Sequence, residues 1–438
     1  MNIAEKYIKN FKIENTNNSI IYKHRLNALE QLKNSEMDFN SDEKYKNYNI
    51  NEIFDYEHNN TAEKINLNEY FHCQIEDLDT YIIILSNGIF YGNENKNLDN
   101  NVIICSLKEA SIKYSDLFEK YFNKKAASEI DSFTLINTLY FNDGVFIYVP
   151  ENVKLEKAIQ IINISHGFEN KSIFTRNLFI AEKKSELSVI ICNHTLNNSK
   201  NFIVDVTESY LEENAILNYN AIQNEHNQSI VNNFHFTELR RAAKLNSLEL
   251  LLNGKFLKNN IFVDLKEEIS SVNLFGLSLA DKQQIFDNYT LINHIAPNCE
   301  SYEMYKNILD DESLCSFEGK IIVRKEAQKT IAYQSNKNIC LTDSAKINTK
   351  PQLEIYADDV KCSHGTTIGQ LDEQAVFYLQ QRGISQKEAR QMLMFAFAND
   401  ILNNIDIIPL KNKISVLIDA RLRGELSDRC NCLLGCVK

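Results

Sequence analysis

The spacing of apolar residues changes character several times along this chain. Up to about residue 36, Ile20, Ile21, Leu26, Leu29 and Leu32 recur at helical intervals and predict helix. Residues 37–70 are polar and rich in asparagine, which predicts loop with short pieces of structure. From about residue 78 short β-type runs begin, with Tyr81-Ile82-Ile83-Ile84-Leu85 and Val102-Ile103-Ile104 bounded by Asn and Gly. Residues 107–128 return to a helical pattern.

From about 133 to 361 short extended segments dominate, and no amphipathic helix of 12 or more residues is evident. Val145 to Val149, Ile159 to Ile164, Leu178 to Ile180 and Phe202 to Val206 are examples. A weak repeat runs through them: polar residues, then a small residue, then an alternating apolar segment. Leu187, Ile216, Leu245 and Val272 mark it, spaced 29, 29 and 27 residues apart. A nearly fixed period of this size signals stacked units, which with strands as the unit means a β-solenoid. A β-sandwich of hairpins satisfies the same pattern, and periodicity alone leaves both open.

Past Gly365 the pattern is helical again. A helix over Leu371–Gln381 stops at Arg382-Gly383, with Gly383 suited to the left-handed cap. Ser385 and Glu388 form a capping box for the next helix. Its expected stripe is Ala389, Met392, Leu393, Ala396, Phe397 and Ile401, widened by Met394, Phe395 and Ala398. Pro409 opens a last helix carrying Ile414, Leu417, Ile418 and Leu422. So much apolar surface predicts both internal packing and a docking face for another protein.

With 44% hydrophobic and 24% charged residues, the 438-residue chain has the balance of a soluble globular protein with two or three domains. A net charge of −12 argues against nucleic-acid binding. No apolar run reaches the length of a membrane span, and the N-terminal stretch lacks the apolar core of a secretory signal. The expected compartment is the cytoplasm, with the ten cysteines as reduced thiols. Cys73, Cys105, Cys192, Cys299, Cys315 and Cys340 read as small buried hydrophobes.

The most informative segment is Lys350 to Gly365. It ends in Cys362-Ser363-His364-Gly365, and residues i and i+2 of a strand share a face. Cys362 and His364 therefore offer a sulfur and a nitrogen side by side, suited to iron, zinc or iron–sulfur species. Two ligands leave a tetrahedral shell incomplete, so a second chain is the natural source of the rest. Asp358 and Asp359 add carboxylates, with turn formation as their plainer role, and Gly365 permits a turn or a close approach. Cys430, Cys432 and Cys436 form a second thiol cluster at the terminus, read first as tail or structural thiols. Nucleotide-binding glycine loops and nucleophile elbows are absent. His166, His194, His226, His235 and His294 stand singly along the strands and read as structural. A polysaccharide-cleaving solenoid enzyme and a stand-alone zinc or redox protein using Cys362 and His364 are two readings that these residues allow.

Longer motifs go further. Gly319 to Val323, Ala327 to Thr330, Tyr333-Gln334 and the run from Lys350 to Ile384 resemble the SufB/SufD family, on its SufD branch, of iron–sulfur cluster assembly scaffolds. Asn137 to Pro150 fits as well, as does Asp42 to Lys46, where Tyr45 stands at a place the family often gives to Trp. The resemblance implies a mainly β protein: a right-handed parallel β-helix core over residues 133–368, an N-terminal helical or mixed domain over 1–132 and a C-terminal helical domain over 369–438. It implies a non-catalytic subunit that pairs with a SufB-like paralogue. Two copies of a SufC-like ABC ATPase join them, bound through the C-terminal helices and carrying the ATP hydrolysis. His364, accompanied by Cys362, would meet a cysteine of the paralogue where a nascent iron–sulfur cluster forms transiently between the chains. Self-pairing is expected when the paralogue is absent. The Cys430–Cys436 cluster has no counterpart in the resemblance.

Overall fold

The computed structural model describes residues 3–11, 19–34, 45, 47, 50–53, 56–58, 77–93, 101–129, 131–167, 170–195, 200–226 and 228–425. Cys73, Asp42 to Lys44, Lys46 and the Cys430–Cys436 cluster lie outside them.

The solenoid, not the sandwich, is what the chain builds. From Val145 onward successive strands alternate between two sheets, and each strand pairs in parallel with the strand two places later in the chain. The first sheet ends at Lys346–Ile355 and the second at Lys361–Gly369. Parallel stacking places equivalent residues above one another, so one inward row of the second sheet reads Leu187, Leu217, Leu245, Val272, Ser301, Ala332 and Cys362. The repeat seen in the sequence is thus real but was out by one place in its second unit, where Leu217 and not Ile216 faces Leu187.

The polar part of the repeat is a column of tight turns. Lys184, Asn214, Ala242, Ile269, Asn298 and Lys329 all adopt left-handed backbone conformations at corresponding places. Their amides bond to the turn of the following coil, as in Lys184 N to Glu213 O at 2.8 Å and Asn214 N to Arg241 O at 2.9 Å. The column ends with Lys329 N on Asp359 O at 2.6 Å.

The N-terminal part covers the opposite end. Thr80–Ser86 extends the second sheet alongside Ala158–Ser165, and Ile103–Ser106 pairs antiparallel with Val145–Val149. The region expected to be helical up to residue 36 contains helices Ile3–Asn10 and Ile20–Asn34, with Ile21 and Leu32 buried but Leu26 exposed. A nine-residue helix, Ser132–Tyr140, lies within the span read as strands and is buried throughout. Asp131 caps it, accepting from the amides of Phe133 and Thr134, and Tyr45 donates its hydroxyl to the same carboxylate. Asn137 donates its amide to the carbonyls of Thr175 and Val204, tying the helix to two strands.

The C-terminal helices Glu373–Gln380, Gln386–Leu402 and Ile408–Leu422 follow the solenoid. Gly383 takes the left-handed conformation and the Ser385–Glu388 capping box is formed. The buried face of the middle helix is Ala389, Met394, Ala398 and Ile401, packed on outward residues such as Leu250 and Leu277. Met392 and Ala396, expected on that face, are exposed. The helix is apolar on more than one side, so composition alone misplaced the stripe. Lys306 locks the helix to the solenoid through Asp400 at 2.5 Å and the Phe397 carbonyl at 2.9 Å.

Candidate functional site at the open end of the solenoid

The last two strands form the open end. Lys361–Gly369 pairs only with Ile331–Cys340, and Lys346–Ile355 only with Leu314–Val323, among the described residues. Each therefore presents an unpaired backbone edge. Edges of this kind either carry polar side chains that discourage pairing or receive a partner. Here Lys361, Ser363, Thr366 and Thr367 keep most of the final strand polar, while Ile368 within it and Tyr356 ahead of it are exposed.

Cys362 and His364 both lie on the final strand, in the two inward rows that continue from Ala332 and Gln334. In every enclosed coil those rows are covered by the facing sheet. In the last coil the cover ends: Cys362 is half-buried against the interior cluster and His364 is exposed. The sequence pattern therefore placed the pair correctly on one face, and the end of the solenoid makes that face accessible. Burial pushes the Cys362 thiol above its ordinary range, against a weaker opposing pull from a backbone bond to Ala332.

The neighbouring candidates are structural. Asp358 and Asp359 are exposed turn residues; the Asp359 amide donates to Gln328 Oε1 at 2.9 Å and its carbonyl closes the turn column. Gly365 is in the strand with open space where a Cβ would stand, so neither a turn nor a close approach requires glycine there. No group of three or more His, Cys, Asp or Glu suited to a metal occurs among the described residues. Cys362 and His364 supply two donors, and no third joins them among the described residues.

Of the described cysteines, Cys105, Cys192, Cys299 and Cys315 are buried and Cys340 is half-buried. The histidines singled out along the strands are largely inward or bonded to neighbours: His294 Nε2 lies 2.9 Å from Ser301 Oγ, and His235 Nε2 lies 2.9 Å from Ser209 Oγ. Burial holds both imidazoles well below the usual range, to about 3, so they stay neutral.

One feature near the site gave no sequence signal. The inward row below His364 turns polar, from Leu274 to Glu303 to Gln334. Gln334 Nε2 donates to Glu303 Oε2 at 2.6 Å, and both side chains are enclosed. Burial raises the Glu303 carboxyl to about 7, although bonds from Thr290 and Gln334 pull it down. Farther along, the same interior holds Asp205 and Glu249, raised by burial to about 7 and about 8.

Residues 163–397 match the family described as "SUF system FeS cluster assembly, SufBD core domain", and residues 1–161 match "SufBD protein N-terminal region". The chain is 32% identical over 292 residues to the "Iron-sulfur cluster assembly protein SufD" of Escherichia coli, covering 64% of this chain and 66% of that one. It is 24% identical over 454 residues to the protein of the same name in Bacillus subtilis, covering 97% and 99%. A SufBD family protein of Synechocystis is 29% identical over 302 residues, 66% of each chain. The chain thus spans about two thirds of the Escherichia coli and Synechocystis relatives by length and nearly all of the Bacillus one. No helix among the described residues is long and apolar enough to cross a membrane. A parallel solenoid flanked by helices, ending in the C-x-H-G strand and matched along almost its whole length, makes this chain a member of the SufB/SufD family of the SUF iron–sulfur cluster assembly system, on its SufD branch.

Proposed function

We propose that the chain is a scaffold subunit that performs no turnover of its own and pairs through its open end with a SufB-like paralogue. The nascent iron–sulfur cluster is cargo at that seam. His364 and Cys362 contribute imidazole and thiolate from one side, and cysteine of the paralogue completes the shell from the other. The observation that carries this proposal is an incomplete donor pair standing on an unpaired edge strand. Soft ligands two residues apart suit iron or sulfide, and a neighbouring edge is where a second solenoid would supply what is lacking. In the absence of the paralogue the same edge supports self-pairing.

A SufC-like ABC ATPase docks on the C-terminal helices. In support, Phe377, Tyr378, Met392, Ile408 and Val416 are exposed there although they are large and apolar. ATP hydrolysis on that partner would move the helices, and the Lys306–Asp400 tie would pass the movement to the solenoid. The test is His364→Ala in cells that depend on this pathway. The fold and the complex are expected to persist while cluster formation is abolished; normal maturation of iron–sulfur enzymes in that variant would refute the role of His364.

A further inference from the structure

We infer that Gln334 is a positioning residue for His364: its side-chain carbonyl accepts one imidazole N–H, which fixes the tautomer and leaves the other ring nitrogen facing outward for cargo iron. The inference rests on the proposed role of His364 as a ligand, and it deepens that role.

Four observations lead to it. Gln334 and His364 are register partners on adjacent parallel strands, in the same inward row. Neighbouring strands stand about 4.8 Å apart, so a side chain in one rung reaches the next. The amide nitrogen of Gln334 is already committed, donating to Glu303 Oε2 at 2.6 Å in the rung below. Its carbonyl oxygen is buried and has no hydrogen-bond partner.

The amide is also held in place from across the interior. A Cβ on Gly319, in the facing sheet, would come within 2.3 Å of Gln334 Nε2 and 3.0 Å of its Cδ. Gly319 therefore leaves the space that the amide occupies. Gly319 opposite gives the amide its room, and Glu303 below decides which end of it faces that carboxyl. A carboxylate below demands the NH2 group, so the carbonyl is what remains for the next rung, and the next residue in that row is His364. A buried carbonyl without a donor is costly, whereas an exposed imidazole beside it has an N–H to give. The bond requires the His364 side chain to turn inward from its exposed position. Histidine ligands commonly donate their second N–H to a carbonyl in this way, which sets the tautomer presented to the metal.

The full chain labelled with 15N-histidine tests this without any cluster. Two-bond 1H–15N spectra recorded above the imidazole titration range report which ring nitrogen carries the proton, and the His364 signal is assigned by its loss in His364→Ala. One neutral tautomer is expected in the unaltered chain, and a mixture of both in Gln334→Met. Gly319→Ala, which displaces the amide from the opposite wall while leaving it present, is expected to give the same mixture. Gly319→Ala decides the matter if Gln334→Met proves unfolded by circular dichroism. A tautomer ratio for His364 unchanged in a folded variant overturns the inference. That result leaves the ligand role of His364 standing, since the latter is read separately from cluster formation in cells.

Discussion

Arg176 and Glu208 face one another at 2.8 Å on adjacent strands, with both side chains wholly buried. Glu208 also accepts the backbone amides of Asn123, Lys125 and Ala126, and Arg176 donates to Asn123 Oδ1 at 2.8 Å. The pair thus joins the N-terminal segment to the solenoid. Removing one partner of a buried pair leaves the other charge uncompensated, typically at a cost of about 3–5 kcal/mol. Arg176→Met is expected to destabilise the chain by that order, measured by denaturant unfolding. A change under about 1 kcal/mol would show that the backbone amides alone satisfy Glu208.

Ile269 is the β-branched member of the left-handed turn column and is more strained there than its asparagine counterparts. Its φ of 64° is left-handed, a conformation that a β-branched residue adopts at a cost, while Asn214 and Asn298 occupy the equivalent turns at 58° and 59°. The side chain is exposed and little packing is lost with it. Ile269→Asn is expected to stabilise the chain by ~1 kcal/mol, observed as a higher melting temperature. A lower melting temperature would mean that the isoleucine makes a contact worth more than the strain.

Stability is expected to fall as pH rises, through the buried carboxyls. Glu249 is raised to about 8 by burial, and Asp205 adds to the rise. An unfolded glutamate ionises near 4.3, so between that value and about 8 the folded chain holds a proton the unfolded chain has released. The stabilisation is complete below the unfolded value and is lost as pH climbs through the folded one. Melting temperatures taken from pH 5 to 9 should decline less steeply for Glu249→Gln than for the unaltered chain. Parallel profiles would remove Glu249 from the explanation.

The exposed apolar residues of the C-terminal helices should matter to association and not to folding. Phe377→Ser with Val416→Ser removes two side chains that are 61% and 65% exposed. The double variant is expected to keep its melting temperature and to lose most of its binding to the ATPase partner in pull-down. Undiminished capture would place the docking face elsewhere.

How much of this was legible beforehand differs from element to element. The solenoid was visible because its turns repeat: Lys184, Asn214, Ala242 and Ile269 sit in stacked turns whose polar residues recur along the chain. The register was less legible, because coil lengths vary, and Ile216 was read in place of Leu217. The inward rows do not alternate cleanly, since Glu249, Glu303 and Gln334 are polar yet enclosed. A pattern that takes polar for exposed cannot find them. For the same reason the Glu303–Gln334 column below His364 gave no signal. In Gln386–Leu402, apolar residues on several sides hid the true contact face, and only packing on Leu250 and Leu277 singles out Met394 and Ala398. The Cys362–His364 pair was legible because strand alternation is simple. Its exposure was not, since that depends on where the facing sheet ends.

The central claim is that His364 stands at the seam between two subunits. The direct measurement is disulfide cross-linking of His364→Cys, in a Cys362→Ser background, co-expressed with the SufB-like paralogue and mildly oxidised. A covalent heterodimer on a non-reducing gel is expected, absent for Lys184→Cys on the distant turn column. No cross-link at position 364, in a complex that still co-purifies, would contradict the claim.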